Sequence, residues 1–224
     1  MSIRRSRPEF KLKGYPDVYM ISMSDDEKSQ YFKNLVLPSW EKFGVKVNHF
    51  EAITPKDFSK YNNTPISYGL NGYKNSTKVG TANRKFTPTE KAIWFSAYEC
   101  WKMCVKENKA FIFIEHDCEL LKLPPINLLR DNEMILLCNW RGKRANPMTG
   151  YYLTPPIAKM LIEMLELPTH YNVDAWVQEM AINVGRFDTS YMRVVKWEDE
   201  EGRQISTIDH RVEKIDQKYL DFKG

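Results

Sequence analysis

The 224-residue sequence predicts an α/β fold, a single domain with a mostly parallel central sheet flanked by helices. Three observations carry that prediction. The segment "AFIFIEHDCELL", residues 110–121, opens on an apolar run rich in Phe and Ile from Ala110 to Ile114, too short for a helix and suited to a strand buried on both faces. Strand-like and helix-like segments alternate along the chain, the pattern of helices laid over a parallel sheet. The length is enough to bury a substantial core, and no internal repeat or low-complexity block divides it.

The elements follow in order. Residues 1–16 read as a basic polar tail with Arg4, Arg5 and Arg7, and residues 17–224 as the folded domain. "DVYMISM", residues 17–23, is a first strand, followed by "SDDEKSQYFKNLVLPSWEKFG" with an acidic cap, a helix and a terminating Gly44. "VKVNHFEAI" is the second strand. From Asn62 to Lys85 the chain is rich in Asn, Gly, Ser, Thr and Tyr with neither helical nor alternating period, so it reads as a long loop, functional or disordered.

Order returns at "TPTEKAIWFSAYECWKMCVKEN", where Thr87 is placed as N-cap, Pro88 at the first helical position and Glu90 at the third, a capping box. Ile93, Ala97, Trp101 and Val105, widened by Trp94 and Cys104, form the predicted apolar stripe. "EMILLCNW" is another buried strand, "TPPIAKMLIEMLEL" a capped helix, "VDAWVQEMAINVG" a further helix with Asp174 near its start, and "YMRVVKW" a late strand.

Net charge is +4 on 33 basic and 29 acidic residues, a balance that does not by itself argue for a polyanionic partner. Arg141, Lys143 and Arg144 are a local basic cluster in a loop after Trp140. No stretch approaches about eighteen uninterrupted apolar residues and the amino terminus lacks an apolar signal core, so a soluble, cytoplasmic protein is expected. Cys100, Cys104, Cys118 and Cys138 lack paired zinc spacing and read as reduced core or near-core thiols.

Ligands collect beyond the carboxyl ends of parallel strands, which is where Glu115 and Asp117 emerge. Two carboxylates there invite a divalent metal carrying a phosphorylated substrate. The alternative is an acidic turn that solvates a strand end.

The order "VYMISM", "FEAITP", "FTPTEKAIWFSAYECW", "AFIFIEHDCELL", "MILLCNW", "TGYYLTPPIAKMLIEML" resembles glycosyltransferase family 25, which includes lipopolysaccharide and collagen galactosyltransferases. The resemblance implies a GT-A, Rossmann-like fold, a nucleotide-sugar donor, most simply a UDP-sugar, and a Mn²⁺ or Mg²⁺ ion held by a D-x-D-type motif. The family's Glu-Asp-Asp is here Glu115, His116 and Asp117. Its Ser-His pair becomes Ser96 and Ala97, and "SDDEK" replaces the arginines that usually follow the first strand.

On that resemblance Asp117 is the first metal ligand, Glu115 completes or orients the shell, and His210 is either a third ligand or a surface histidine. Ile21, Ser22, Glu51, Lys85, Ser96 and Asp117 are the donor-binding candidates. The metal would act as a Lewis acid on the leaving diphosphate. Direct, inverting displacement also needs a base, for which Asp174 stands in the family's place, although an Asp at a helix start is equally an N-cap. His116 reads as a supporting or packing residue.

Three functions compete: a glycosyltransferase, a nucleic-acid-binding module using the arginine tail and "YKNSTKVGTANRK", and a catalytically dead scaffold. The first two combine in a bacteriophage enzyme that glycosylates hydroxymethylated cytosine in double-stranded DNA within the host cytoplasm. There Arg141, Lys143, Arg144 and Arg84 contact the acceptor, with Arg84 and Lys85 alternatively gripping the donor diphosphate. The other acceptor is a lipopolysaccharide or lipid-linked surface glycan at the cytoplasmic membrane face.

Overall fold

The structure, a computed structural model, describes residues 15–70, 86–125, 134–138, 149–165, 173, 176–177, 184–186, 191–195, 197–198 and 204–205. Its centre is a six-stranded sheet built from β1 (Asp17–Ser22), β2 (Val47–Glu51), β3 (Phe111–Glu115), β5 (Met134–Leu136), β6 (Gly150–Leu153) and β7 (Val184–Arg186), with β4 (Cys118–Leu120) leaving the turn after β3. The spatial order is β2-β1-β3-β6-β5-β7. β1 is parallel to both β2 and β3, and β5 is parallel to β7. β6 is antiparallel to β3 and to β5, so five strands run one way and β6 runs against them.

β3 lies between β1 and β6, and every residue from Phe111 to Ile114 is buried. Successive side chains of a strand point to opposite faces. Phe111 and Phe113 accordingly join one core, and Ile112 and Ile114 join the other. The first core is covered by α3 (Pro88–Glu107) and α4 (Pro155–Met164), where Trp94 meets Trp176 edge to face at 5.3 Å and Trp101 stacks on Trp176 at 6.2 Å. The second is covered by α1 (Glu27–Lys42) through Val36 and Trp40. The Trp40 indole N–H donates to the Cys118 carbonyl at 2.9 Å, and the Ser39 hydroxyl accepts from the Leu120 N–H at 2.9 Å, pinning β4 under α1.

The α3 cap forms as its residues dictate: the Thr87 hydroxyl accepts from the Glu90 N–H at 3.2 Å and the Glu90 carboxylate accepts from the Thr87 N–H at 2.8 Å. Asn108 ends the helix in the left-handed region, φ 48°. All four cysteines are buried free thiols.

Several expectations need correction. The buried face of α3 centres on Trp94, Ala97, Trp101 and Cys104, while Val105 is exposed, because a four-residue step gains about 40° on a 3.6-residue turn and rotates off the face after three steps. The stretch beginning at Asn62 contains a short helix, α2 (Pro65–Leu70). β6 and β4 were not anticipated as strands, and the first two strands end sooner than expected, at Ser22 and Glu51. The tail up to residue 14 lies outside the described residues.

Gly150 begins β6 where a Cβ would stand 2.7 Å from the Met192 sulfur and 3.4 Å from the Cys118 sulfur. Gly150→Ala is expected to destabilise the fold by about 1–3 kcal/mol in urea denaturation, the usual cost of overpacking. Adding Met192→Ala removes the clash, so the double variant should be more stable than the sum of the two single losses; strict additivity would show that the two sites do not meet.

Candidate functional site

Strand register brings three carboxyl ends to one edge. Ser22 pairs with Glu51 on one side, and Ile21 pairs with Glu115 on the other, so four of the sequence-predicted residues converge there. The loop leaving β1 is fixed by α1: Asp26 caps the helix by accepting from the Ser29 N–H at 2.6 Å, and the Ser29 hydroxyl accepts from the Met23 N–H at 3.0 Å.

Sequence reasoning missed His49. Its Nδ1 lies 2.9 Å from the buried Ser22 hydroxyl and its Nε2 lies 2.8 Å from Glu51 Oε2, so one imidazole links the ends of β1 and β2. Glu51 Oε1 also accepts from the Ser24 N–H at 2.9 Å. Burial works to raise the Glu51 carboxyl, but the Ser24 N–H and His49 outweigh it and hold it below the ordinary glutamate value. The carboxylate is therefore ionised, rigidly placed and about half exposed, 49% at the side chain. The signal was present in "NHFE": residues two apart on a strand share a face.

The opposite side of the edge is the turn from β3 into β4. Glu115 donates its N–H to the Thr149 carbonyl at 2.9 Å and is half-buried. The strand ends there, so strand alternation does not extend to His116 and Asp117, which form the turn. Asp117 is buried, and its carbonyl accepts from the Val195 N–H at 2.8 Å. The His116 ring lies 6.1 Å from Phe32 of α1. Burial lowers its pKa below 6.5, and this outweighs the opposing pull of Asp117, Asp26 and a hydrogen bond to the Ile21 backbone. His116 is thus a neutral packing group between α1 and β1.

Ser96, on α3, uses its hydroxyl internally: it accepts from the Ile53 N–H at 2.9 Å and donates to the Ala92 carbonyl at 2.9 Å. That bond orients the chain leaving β2 into a 3₁₀ helix, η1 (Pro55–Tyr61), whose Lys56 pairs with Asp25 at 3.0 Å across the mouth of the edge. Arg84, Lys85, Arg141, Lys143, Arg144, Asp174 and His210 lie outside the described residues. Among the described residues no three side chains of His, Cys, Asp or Glu are grouped to hold a metal ion.

Residues 15–123 match the family model described as glycosyltransferase family 25 (LPS biosynthesis protein). The match supports a glycosyltransferase. It runs from the start of β1 through β4 and contains Ser22, His49, Glu51, Ser96, Glu115 and Asp117. Two solved structures are similar at low identity. One is a glycosyltransferase involved in glycosylation of the major capsid of PBCV-1, at 13% identity and TM-score 0.41 over 77% of this chain and 82% of that one. The other is mouse xyloside xylosyltransferase 1 in its apo form, at 12% identity and TM-score 0.42 over 93% of this chain and 94% of that one. At these values neither likeness bears on substrate or mechanism. No curated protein matches the sequence. No described helix is long and apolar enough to cross a membrane.

The neutral state of His116 has a pH consequence. Its folded pKa lies below its unfolded one, so between the two the unfolded chain binds a proton that the folded chain refuses, and stability falls as pH drops from the ordinary imidazole value of 6.5 towards the lower folded value. His116→Gln should lose that component. Urea midpoints at pH 7.5 and 5.5 should therefore separate more for the wild type than for the variant.

Proposed function

We propose that the protein transfers a sugar from a nucleotide-sugar donor, most simply a UDP-sugar, to an acceptor hydroxyl, with the donor seated at the carboxyl edge of β2, β1 and β3. The observation that carries this reading is the family match over residues 15–123, whose span contains the whole of that edge. Glu51 supports it physically. An acid at the end of the second strand of a nucleotide-binding α/β sheet hydrogen-bonds ribose hydroxyls, and the Glu51 carboxylate is ionised, pre-oriented and exposed enough to accept them.

The finer mechanism is direct displacement, with the acceptor oxygen forming its bond to the anomeric carbon as the bond to the diphosphate breaks. Asp174 is the proposed base. Asp117 and Glu115 offer two carboxylates to a metal. Mg²⁺-type sites commonly use one or two protein carboxylates with substrate phosphates and water, so Asp117 and Glu115 would be the residues to hold such an ion, with His210 as the proposed additional ligand. Such an ion would supply neutralisation of the charge developing on the leaving diphosphate.

Hydrolysis of a UDP-sugar panel with Mn²⁺ tests the reaction class. Asp117→Asn should leave the circular dichroism spectrum unchanged and cut turnover at least about 100-fold, the loss of roughly 3 kcal/mol of transition-state stabilisation. Wild-type turnover in this variant, or full activity in excess chelator, would remove the metal from the mechanism.

The family description as an LPS biosynthesis protein favours a surface-glycan acceptor. The second reading, duplex DNA carrying hydroxymethylated cytosine in a bacteriophage system, is supported by the basic clusters Arg141, Lys143, Arg144 and Arg84, Lys85. If DNA is the acceptor, Arg141→Ala/Lys143→Ala/Arg144→Ala should lower the salt-dependence slope of DNA binding by about 0.9 per lost contact and leave donor hydrolysis unchanged. If Arg84 and Lys85 instead grip the donor diphosphate, their replacement by Ala raises the donor KM and leaves the slope alone. Movement in neither quantity leaves the glycan acceptor.

A further inference from the structure

A cleft of about 380 Å³ lies beyond the carboxyl end of β2, between η1, α2 and the first turns of α3. Phe58, Asn62, Asn63, Ser67, Lys91 and Phe95 line it. Its floor is aromatic and rigid. Tyr61 stacks on Phe95 at 4.2 Å with the planes 10° apart, and Phe58 meets Phe95 edge to face at 5.2 Å. The Tyr61 hydroxyl is bound to the Glu99 carboxylate, which Lys102 holds in turn at 2.9 Å.

Over that floor stand groups suited to hydroxyls and to an anion. Asn62 and Asn63 are exposed, and Asn63 is held in the left-handed region at φ 62°, a conformation uncommon outside glycine that asparagine tolerates. The Ser67 hydroxyl donates to the Thr64 carbonyl and so faces a ligand as an acceptor. Lys91 is half-buried and, among the described residues, makes no ion pair and shares the cleft with no acidic lining residue.

We propose, resting on the glycosyltransferase reading, that this cleft is the acceptor subsite and takes a saccharide ring bearing an anionic group, a carboxylate or a phosphate. The ring's C–H face lies against Phe58, the two amides take its hydroxyls, and the Lys91 ammonium takes the anion as a charge-assisted pair. The size suits one or two sugar units. The donor occupies the neighbouring edge, and the two places are tied into one body by the Ser96–Ile53 hydrogen bond and the Lys56–Asp25 ion pair.

Methyl glucuronide, glucose 6-phosphate and neutral methyl glucoside, titrated into the full chain by calorimetry or ligand-observed NMR, test this, with UDP titrated in parallel. One or both anionic probes should bind at least tenfold tighter than methyl glucoside, and which of them does so identifies carboxylate or phosphate as the preferred group. Lys91→Met should abolish the preference with UDP affinity unchanged, and Asn62→Ala, an exposed change that spares the core, should weaken all three sugars. Equal binding of charged and neutral sugars, or a preference that survives Lys91→Met, overturns the proposal. So does a parallel loss of UDP affinity, which assigns the cleft to the donor. Wild-type protein that binds the anionic sugars but neither binds UDP nor hydrolyses any UDP-sugar overturns the glycosyltransferase reading and the acceptor role, leaving a saccharide-binding cleft.

Discussion

The burial of β3 on both faces is the constraint on which the remaining structure depends. A strand whose Phe111 and Phe113 face one way and whose Ile112 and Ile114 face the other cannot be satisfied by a single layer of helices. α3 and α4 must close one side and α1 the other. The tryptophans mark where they do so, Trp94, Trp101 and Trp176 on the first face and Trp40 on the second. Because Trp40 also hydrogen-bonds the Cys118 carbonyl, the apolar layer is tied to the chain just past the acidic turn. Packing and site geometry are thereby coupled: Asp117 is placed by the segment that the core holds.

The same constraint explains why polar residues accumulate where they do. A strand buried along its length can present charge only after it ends, and parallel neighbours end together. Ser22, Glu51 and Glu115 meet at that edge as a result of register. The His49 imidazole then converts two adjacent strand ends into a single hydrogen-bonded unit, and the Ser24 N–H completes the hold on Glu51. Such a unit presents a charge with little freedom left to lose when a ligand arrives.

Local signals were legible in the sequence and non-local ones were not. The β3 run had no polar interruption, and Thr87, Pro88 and Glu90 announced the start of α3 by chemistry confined to four residues. β6 failed to register because "GYYL" is only four residues long and its strand character comes from β3 and β5 on either side. The exposed Val105 was read into the core because a repeat of four approximates the helical period over one step and departs from it over three. The acidic turn was visible, whereas the His49–Glu51 pair gained meaning only once β1 supplied Ser22 and Ser24 beside it. The cleft on α3 depends on three elements converging, which spacing along one chain does not encode.

The reversed direction of β6 has a consequence for how this molecule can diversify. β5 delivers the chain to the carboxyl edge at Leu137 and Cys138, and β6 takes it up again at Thr149 and Gly150, where Leu137 donates to the Gly150 carbonyl and Glu115 to the Thr149 carbonyl. The described ends on either side of residues 139–148, Cys138 and Thr149, thus stand at the same edge as the acidic turn. A chain segment clamped at both ends adds only about 0.6 kcal/mol of closure cost when its length doubles. The connection between those two fixed ends can therefore change in sequence and length at little cost to the fold, while the elements that hold Glu51 and Asp117 stay as they are.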